Sequence, residues 1–219
     1  QAGGNVRALV KGGWGFVSFN QFDDLEEKVR EAIEVASLIG KEESRLAATL
    51  PVVEIIHREL DKDFRQISLK EKKDLMEDYN NIIMKSDPLI QSSNVAYTDR
   101  FSTIYFANSE GSYIEQEKPF LSVRLTAIAR EGDNVQMASE SIGSTKGFKI
   151  IEEISTKAQR AASRAINLLK AQSVEGGEYT VIMDQALSGV FIHEAFGHLS
   201  EADFLYEDCL LYTSDAADE

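Results

Sequence analysis

The residues able to do chemistry crowd into one stretch, Phe191-Ile192-His193-Glu194-Ala195-Phe196-Gly197-His198-Leu199-Ser200-Glu201-Ala202-Asp203, which holds two of the chain's three histidines. A histidine followed by a glutamate, with a second histidine close behind, is the pattern of a zinc-hydrolase helix. There the imidazoles hold the metal and the carboxylate takes a proton from the water it binds. The common interval between the histidines is four residues, whereas His193 and His198 are five apart, as His-Glu-x-x-x-His. On a regular helix that interval turns the second side chain about 140° from the first, against about 40° for an interval of four. Both imidazoles reach one ion only if the helix is overwound, bulged or ending near Gly197. Two histidines do not complete a site, since catalytic zinc takes three protein ligands. Glu201 and Asp203 are the local options, either as a third ligand or as carboxylates that accept an imidazole N–H. A third ligand can also lie beyond Asp208. The plain alternative is a helix with two ordinary histidines and incidental acids.

The elements that must position this stretch are legible from periodicity. Val6 to Lys11 and Trp14 to Phe19 are β-favouring runs around Gly12-Gly13, which predicts a hairpin. Asp23 is a fitting N-cap for a helix with Leu25, Val29, Ala32, Ile33 and Ala36 on its apolar side, stopped by Gly40. Val52 to Ile56 has strand character, and His57 beside it reads as a packing or surface residue. Ser68-Leu69-Lys70-Glu71 is a capping box opening a helix that buries Leu75, Tyr79, Ile82 and Ile83 and ends before Asp87-Pro88. From Val95 the period changes to two. Val95–Asp99, Thr103–Ala107, Ser112–Glu117, Leu121–Arg130 and Val135–Ser139 predict successive strands of an antiparallel meander, with turn residues at 108–111 and 131–134. Ile151 to Ala171 predicts a helix whose stripe of Ile154, Ala158, Ala161, Ala165, Ile166 and Leu169 is core. After Gly176-Gly177, residues 178–184 predict a strand feeding the helix that carries the histidines. The expected fold class is α+β: a domain over 1–172 with an antiparallel sheet packed by helices, then a strand and the motif helix over 173–208.

Composition narrows the function classes. The chain has 219 residues, 43% hydrophobic and 27% charged, enough for one sizeable core or two modest ones. No apolar run approaches the roughly 18 residues needed to span a bilayer. No basic-then-apolar leader opens the chain, so a cytoplasmic protein with no membrane partner is expected. The formal charge of −14 argues against direct nucleic-acid contact, which needs a cationic face. The opening Gln1-Ala2-Gly3-Gly4 reads as the interior of a longer chain. Residues 209–219, Cys209 included, resemble a translated sequencing adapter, which sets them apart from the fold and leaves a formal charge of −11 without their three acids.

His193-Glu194-Ala195-Phe196-Gly197-His198 with Leu199-Ser200-Glu201-Ala202-Asp203 resembles the signature segment of the TldD/PmbA family of metallopeptidases. Gly13-Trp14-Gly15-Phe16 is similar to that family's N-terminal motif, and Tyr105-Phe106-Ala107-Asn108-Ser109-Glu110-Gly111 to its central strand-turn motif. The three lie in the family's order. The resemblance implies a metal-binding, TldD-type subunit rather than the metal-less sort, with His193 and His198 as ligands of a zinc-type metal and Glu194 as general base. It further implies a β-rich C-terminal domain supplying a cysteine as third ligand, a role not to be mapped onto Cys209. Glu201 and Asp203 then drop to supporting an imidazole. A peptidase acting on short or unfolded peptides follows, as a homodimer or a heterodimer with the metal-less relative, and this chain alone carries an incomplete, inactive site. The other reading is a non-catalytic interaction or scaffold subunit, because the family is also labelled a modulator of DNA gyrase.

Overall fold

A computed structural model describes residues 2–41 and 46–201. It divides into two units, residues 1–170 and 171–219.

In the first unit, β1 (Gly4–Val10) and β2 (Gly13–Phe19) form the expected antiparallel hairpin. Lys11 and Gly12, both at positive φ, make its turn. The helix α1 (Leu25–Ile39) lies on the hairpin with Ala32 and Ala36 buried. Its N-cap is Asp24 rather than Asp23: the Asp24 carboxylate accepts the Glu27 N–H at 3.1 Å. Only Gly can stand at position 15, since a Cβ there would fall 1.8 Å from the Ala32 carbonyl oxygen. Leu25, Val29 and Ile33 of α1 remain substantially exposed.

The larger sheet is built on two long strands. β4 (Ile90–Ala107) and β5 (Tyr113–Glu131) pair antiparallel over almost their whole length, so the predicted shorter strands fuse in pairs. The far edge of β5 is shared. β6 (Asn134–Ser144) pairs antiparallel with residues 121–131, and β3 (Val53–Ile56) pairs parallel with residues 113–116. Pro119 falls in the gap between those two partners, where a missing N–H costs the ladder least. β3, which the sequence left unplaced, joins the antiparallel meander as a parallel edge strand: residues 57–89 carry the chain over α2 (Leu69–Met84) before β4 begins.

The core sits under one face of β5, where Leu121, Val123, Leu125, Ala127 and Ala129 are buried at alternate positions. Against them packs α3 (Ser155–Leu169), whose Ala158, Ala161, Ala162 and Ala165 are fully buried and let the helix approach the strands closely. α3 is shorter than predicted, because Phe148–Ile151 forms a separate 3-10 turn. Tyr79 and Ile83 of α2 complete the core. Glu140 of β6, nearly buried, meets Arg164 at 2.9 Å and Arg160 at 3.4 Å, fastening the polar side of α3 to the sheet. The capping box is present: the Glu71 N–H donates to Ser68 Oγ at 3.2 Å and the Ser68 N–H donates to Glu71 Oε2 at 3.1 Å.

In the second unit, the expected strand over 178–184 does not form. Its apolar residues are exposed, Ile182 fully so, and no described segment pairs with it. A β-rich sequence becomes a strand only when a neighbour takes up its backbone groups. The helix α4 (Gln185–Ile192) follows, capped by Asp184, whose carboxylate accepts the Leu187 N–H at 2.8 Å. Among the described residues, no helix is long and apolar enough to cross a membrane.

Candidate metal centre

α4 delivers the histidines at its C-terminal end, where the helix changes pitch. His193–Gly197 form a single π-helical turn, and the His198 N–H donates to the His193 carbonyl five residues back. His198–Ser200 then tighten into a 3-10 turn ending at Glu201. An i→i+5 bond widens the turn, so the residue five along returns to the same side of the axis. Of the three ways to meet the five-residue interval, an overwound helix, a bulge or an end near Gly197, the helix shows a bulge. Gly197 needs no unusual backbone to make it, with φ −58° and ψ −51°.

The side chains converge accordingly. The rings of His193 and His198 stand edge to face with centroids 4.5 Å apart. One ligand atom from each of His193, Glu194 and His198 lies within 4.8 Å of the others. Ligands of one tetrahedral zinc stand about 3.3 Å apart, given metal–ligand lengths near 2 Å. Closing that distance is a matter of χ rotation in three exposed side chains. The donor set fits a zinc-type ion, with two neutral-capable imidazoles and a carboxylate at hand.

Glu201 and Glu194 treat the two nitrogens of His198 differently. Glu201 Oε1 lies 2.6 Å from Nδ1, so that nitrogen carries the proton as donor. Nε2 faces Glu194, with Oε2 at 3.9 Å, and is the ring nitrogen that remains available to a metal. The hydrogen bond to Glu201, reinforced by the charges of Glu201 and Glu194, holds the His198 imidazolium above the usual histidine range. A metal arriving there must displace a proton. Of the two candidate acids, the 3-10 turn brings Glu201 to the ring, and Asp203, like Cys209 and the rest of the 209–219 tail, lies outside the described residues. His57 keeps to the surface beside Glu117, at 3.5 Å, and belongs to no candidate metal cluster among the described residues.

With this geometry in hand, comparison with known proteins is informative. Residues 2–36 match the PmbA/TldA metallopeptidase domain 1 and residues 62–169 the PmbA/TldA metallopeptidase central domain. The chain belongs to the PmbA/TldD family of metallopeptidases. A metalloprotease of Synechocystis is 43% identical over 207 residues, covering 94% of this chain and 45% of the relative. A metalloprotease of Methanocaldococcus jannaschii is 34% identical over 209 residues, 93% of this chain and 46% of the relative. A zinc metalloprotease TldD homolog of Saccharolobus solfataricus is 34% identical over 117 residues, covering 53% of this chain and 26% of the relative. The chain thus spans about half the length of its long-matching curated relatives. In structure it resembles a Bacteroides thetaiotaomicron protein described as a modulator of DNA gyrase, with a TM-score of 0.74 and 20% identity over 89% of this chain and 46% of that one. A Thermotoga maritima protein described the same way gives 0.63 and 22% over 79% and 39%. At those identities the likeness speaks for the fold alone, and it supports the α+β class. Membership in a metallopeptidase family implies a divalent metal, and the His193–Glu194–His198 cluster is a place that could hold one.

Proposed function

We propose that the full-length protein is a TldD-type metallopeptidase subunit, with His193 and His198 as metal ligands and Glu194 as general base. The observation that carries this reading is the π-turn pairing of the two imidazoles, with the Glu194 carboxylate beside them. Zinc, when bound, supplies Lewis acidity and lowers the pKa of a water ligand to about 7. The chain's own groups do the rest. Glu194 takes a proton from the attacking water and returns it to the leaving amine. Glu201 occupies Nδ1 of His198 and keeps Nε2 turned to the metal side.

The third ligand is proposed to be a cysteine of the C-terminal half, as the family resemblance implies, so this chain alone binds metal weakly and cleaves nothing. Short or unfolded peptides are the proposed substrates. The proposed assembly is a cytoplasmic homodimer, or a heterodimer with a metal-less relative. The test is metal analysis and peptide cleavage with the full-length protein. His193→Ala should lose the metal, whereas Glu194→Gln should keep it and lose cleavage. A full-length protein that purifies without metal, or a zinc-loaded 219-residue chain that cleaves an unstructured peptide in a Glu194-dependent way, would overturn the assignment.

A second reading is a non-catalytic interaction or scaffold subunit. It is favoured by the exposed apolar end of the larger sheet, where Val53, Ile55, Tyr105, Phe106 and Tyr113 meet solvent. The two relatives described as modulators of DNA gyrase lend it a partner class, a protein rather than DNA, given the net charge of −14. Stoichiometric metal in the full-length protein excludes it.

A further inference from the structure

We infer that the π-turn is a single-residue insertion into a zinc helix of the common four-residue interval, so that removing one residue from the turn preserves metal binding. This rests on the metal-site reading above and concerns how the backbone builds that site.

The argument is one of hydrogen-bond equivalence. In a regular helix carrying His-Glu-x-x-His, the second histidine donates its N–H to the carbonyl of the first, because the bond runs from i+4 to i. Here His198 donates its N–H to the carbonyl of His193, across five residues. His198 therefore stands to His193 as the second histidine of the shorter motif stands to the first, and one residue of the turn is surplus. The flanks agree with this. α4 is regular up to Ile192, and after His198 the 3-10 turn brings Glu201 to the His198 ring, with Ser200 Oγ donating back to the Phe196 carbonyl at 2.7 Å, a four-residue bond that a one-residue deletion can re-form. Ala195 and Phe196 are exposed, so the surplus residue is not held by packing among the described residues.

Deleting Ala195 leaves His-Glu-Phe-Gly-His, in which a regular helix places the imidazoles about 40° apart. Inserting an alanine after Ala195 makes the interval six, about 120° apart on a regular helix. Zinc titration of the full-length protein, read by competition with a chromophoric chelator, distinguishes these. The expected result is that the Ala195 deletion binds zinc within about tenfold of the unaltered chain, while the insertion, which turns one imidazole away, loses as much affinity as His198→Ala does. Adding His198→Ala to the deletion should abolish binding, showing that the same imidazole is used. Circular dichroism checks that each variant folds, and deletion of Phe196 serves as a second route to the same interval. A folded deletion that loses zinc as fully as His198→Ala overturns the inference, as does loss of folding in both deletions. An unaltered chain whose zinc uptake is indifferent to His198→Ala overturns the metal-site reading itself, and this inference with it.

Discussion

The backbone N–H of His198 donates to the carbonyl of His193, and their rings meet edge to face with centroids 4.5 Å apart. An interval that a regular helix would splay is thereby brought onto one side by a change of pitch at the end of α4. Glu194, next in sequence to one histidine, is placed nearer the other, with Oε2 3.9 Å from His198 Nε2. The proposed ligand pair and base thus come from six consecutive residues.

The hairpin at the start of the chain depends on glycine for contact rather than for torsion. A Cβ on Gly15 would stand 1.8 Å from the Ala32 carbonyl oxygen and 2.8 Å from the Ala36 nitrogen. Those are helix backbone atoms, which cannot rotate away. Gly15→Ala should therefore push α1 off β2 and destabilise the protein by about 3 kcal/mol or more, at the upper end of overpacking costs. Thermal unfolding measures it. Gly176→Ala is the control, since nothing lies within 4 Å of a Cβ there. Equal melting of the two variants would show that α1 does not bear on the hairpin.

How much of this was legible in the sequence depends on what each element leans on. The Ser68–Glu71 box, the Gly12 turn and the alanine stripe of α3 are local signals, and each does what its spacing predicts. Residues 178–184 have strand composition but no partner, and pairing is not written in composition. The parallel seat of β3 beside β5 was equally hidden, because it is a long-range contact between residues 53–56 and 113–116. At the site, the five-residue interval called for an overwound, bulged or ending helix without saying which. The contact of Glu201 with the His198 ring needed the 3-10 turn, which no residue pattern signals.

The start of α2 gives a pH-dependent prediction. Hydrogen bonds from the Ser68 hydroxyl and then its N–H hold the Glu71 carboxyl below the usual carboxylate range. A carboxyl depressed in the folded state adds stability above its unfolded pKa, about 4.3, and that contribution disappears as pH falls through the folded value. Ser68→Ala should cost about 1 kcal/mol at neutral pH. Because the charge-assisted part of the cap is gone in acid, the gap between the two proteins' urea midpoints should narrow from pH 7 to pH 3. A gap independent of pH would mean that the carboxylate takes no part in the cap.

Tyr79 ties α2 to the entry of α3 through a hydroxyl with little access to water. It donates to the Ile151 carbonyl at 2.6 Å and accepts the Ile154 N–H at 3.4 Å. Tyr79→Phe keeps the ring and strands both backbone groups where Ile151 and Ile154 are buried. A buried group left unsatisfied costs about 1–3 kcal/mol, so the denaturant midpoint should drop accordingly with the m-value unchanged. A loss of only a few tenths would mean that water reaches the turn and replaces the hydroxyl.

Glu201 accepts from Nδ1 of His198, which turns Nε2 toward Glu194 and, in the proposed site, toward the metal. Partners of that kind fix the tautomer and the ring orientation of a ligand, and their loss lowers metal affinity by about 10–100-fold. Glu201→Ala should weaken zinc binding to the 219-residue chain by that factor without altering its circular dichroism. Glu201→Gln separates orientation from charge, since its amide oxygen can still accept the Nδ1 proton. If orientation is what matters, the glutamine variant recovers most of the affinity that alanine loses. If the two variants bind zinc equally poorly, the carboxylate acts through its charge, and the 2.6 Å contact is not what aims the ring.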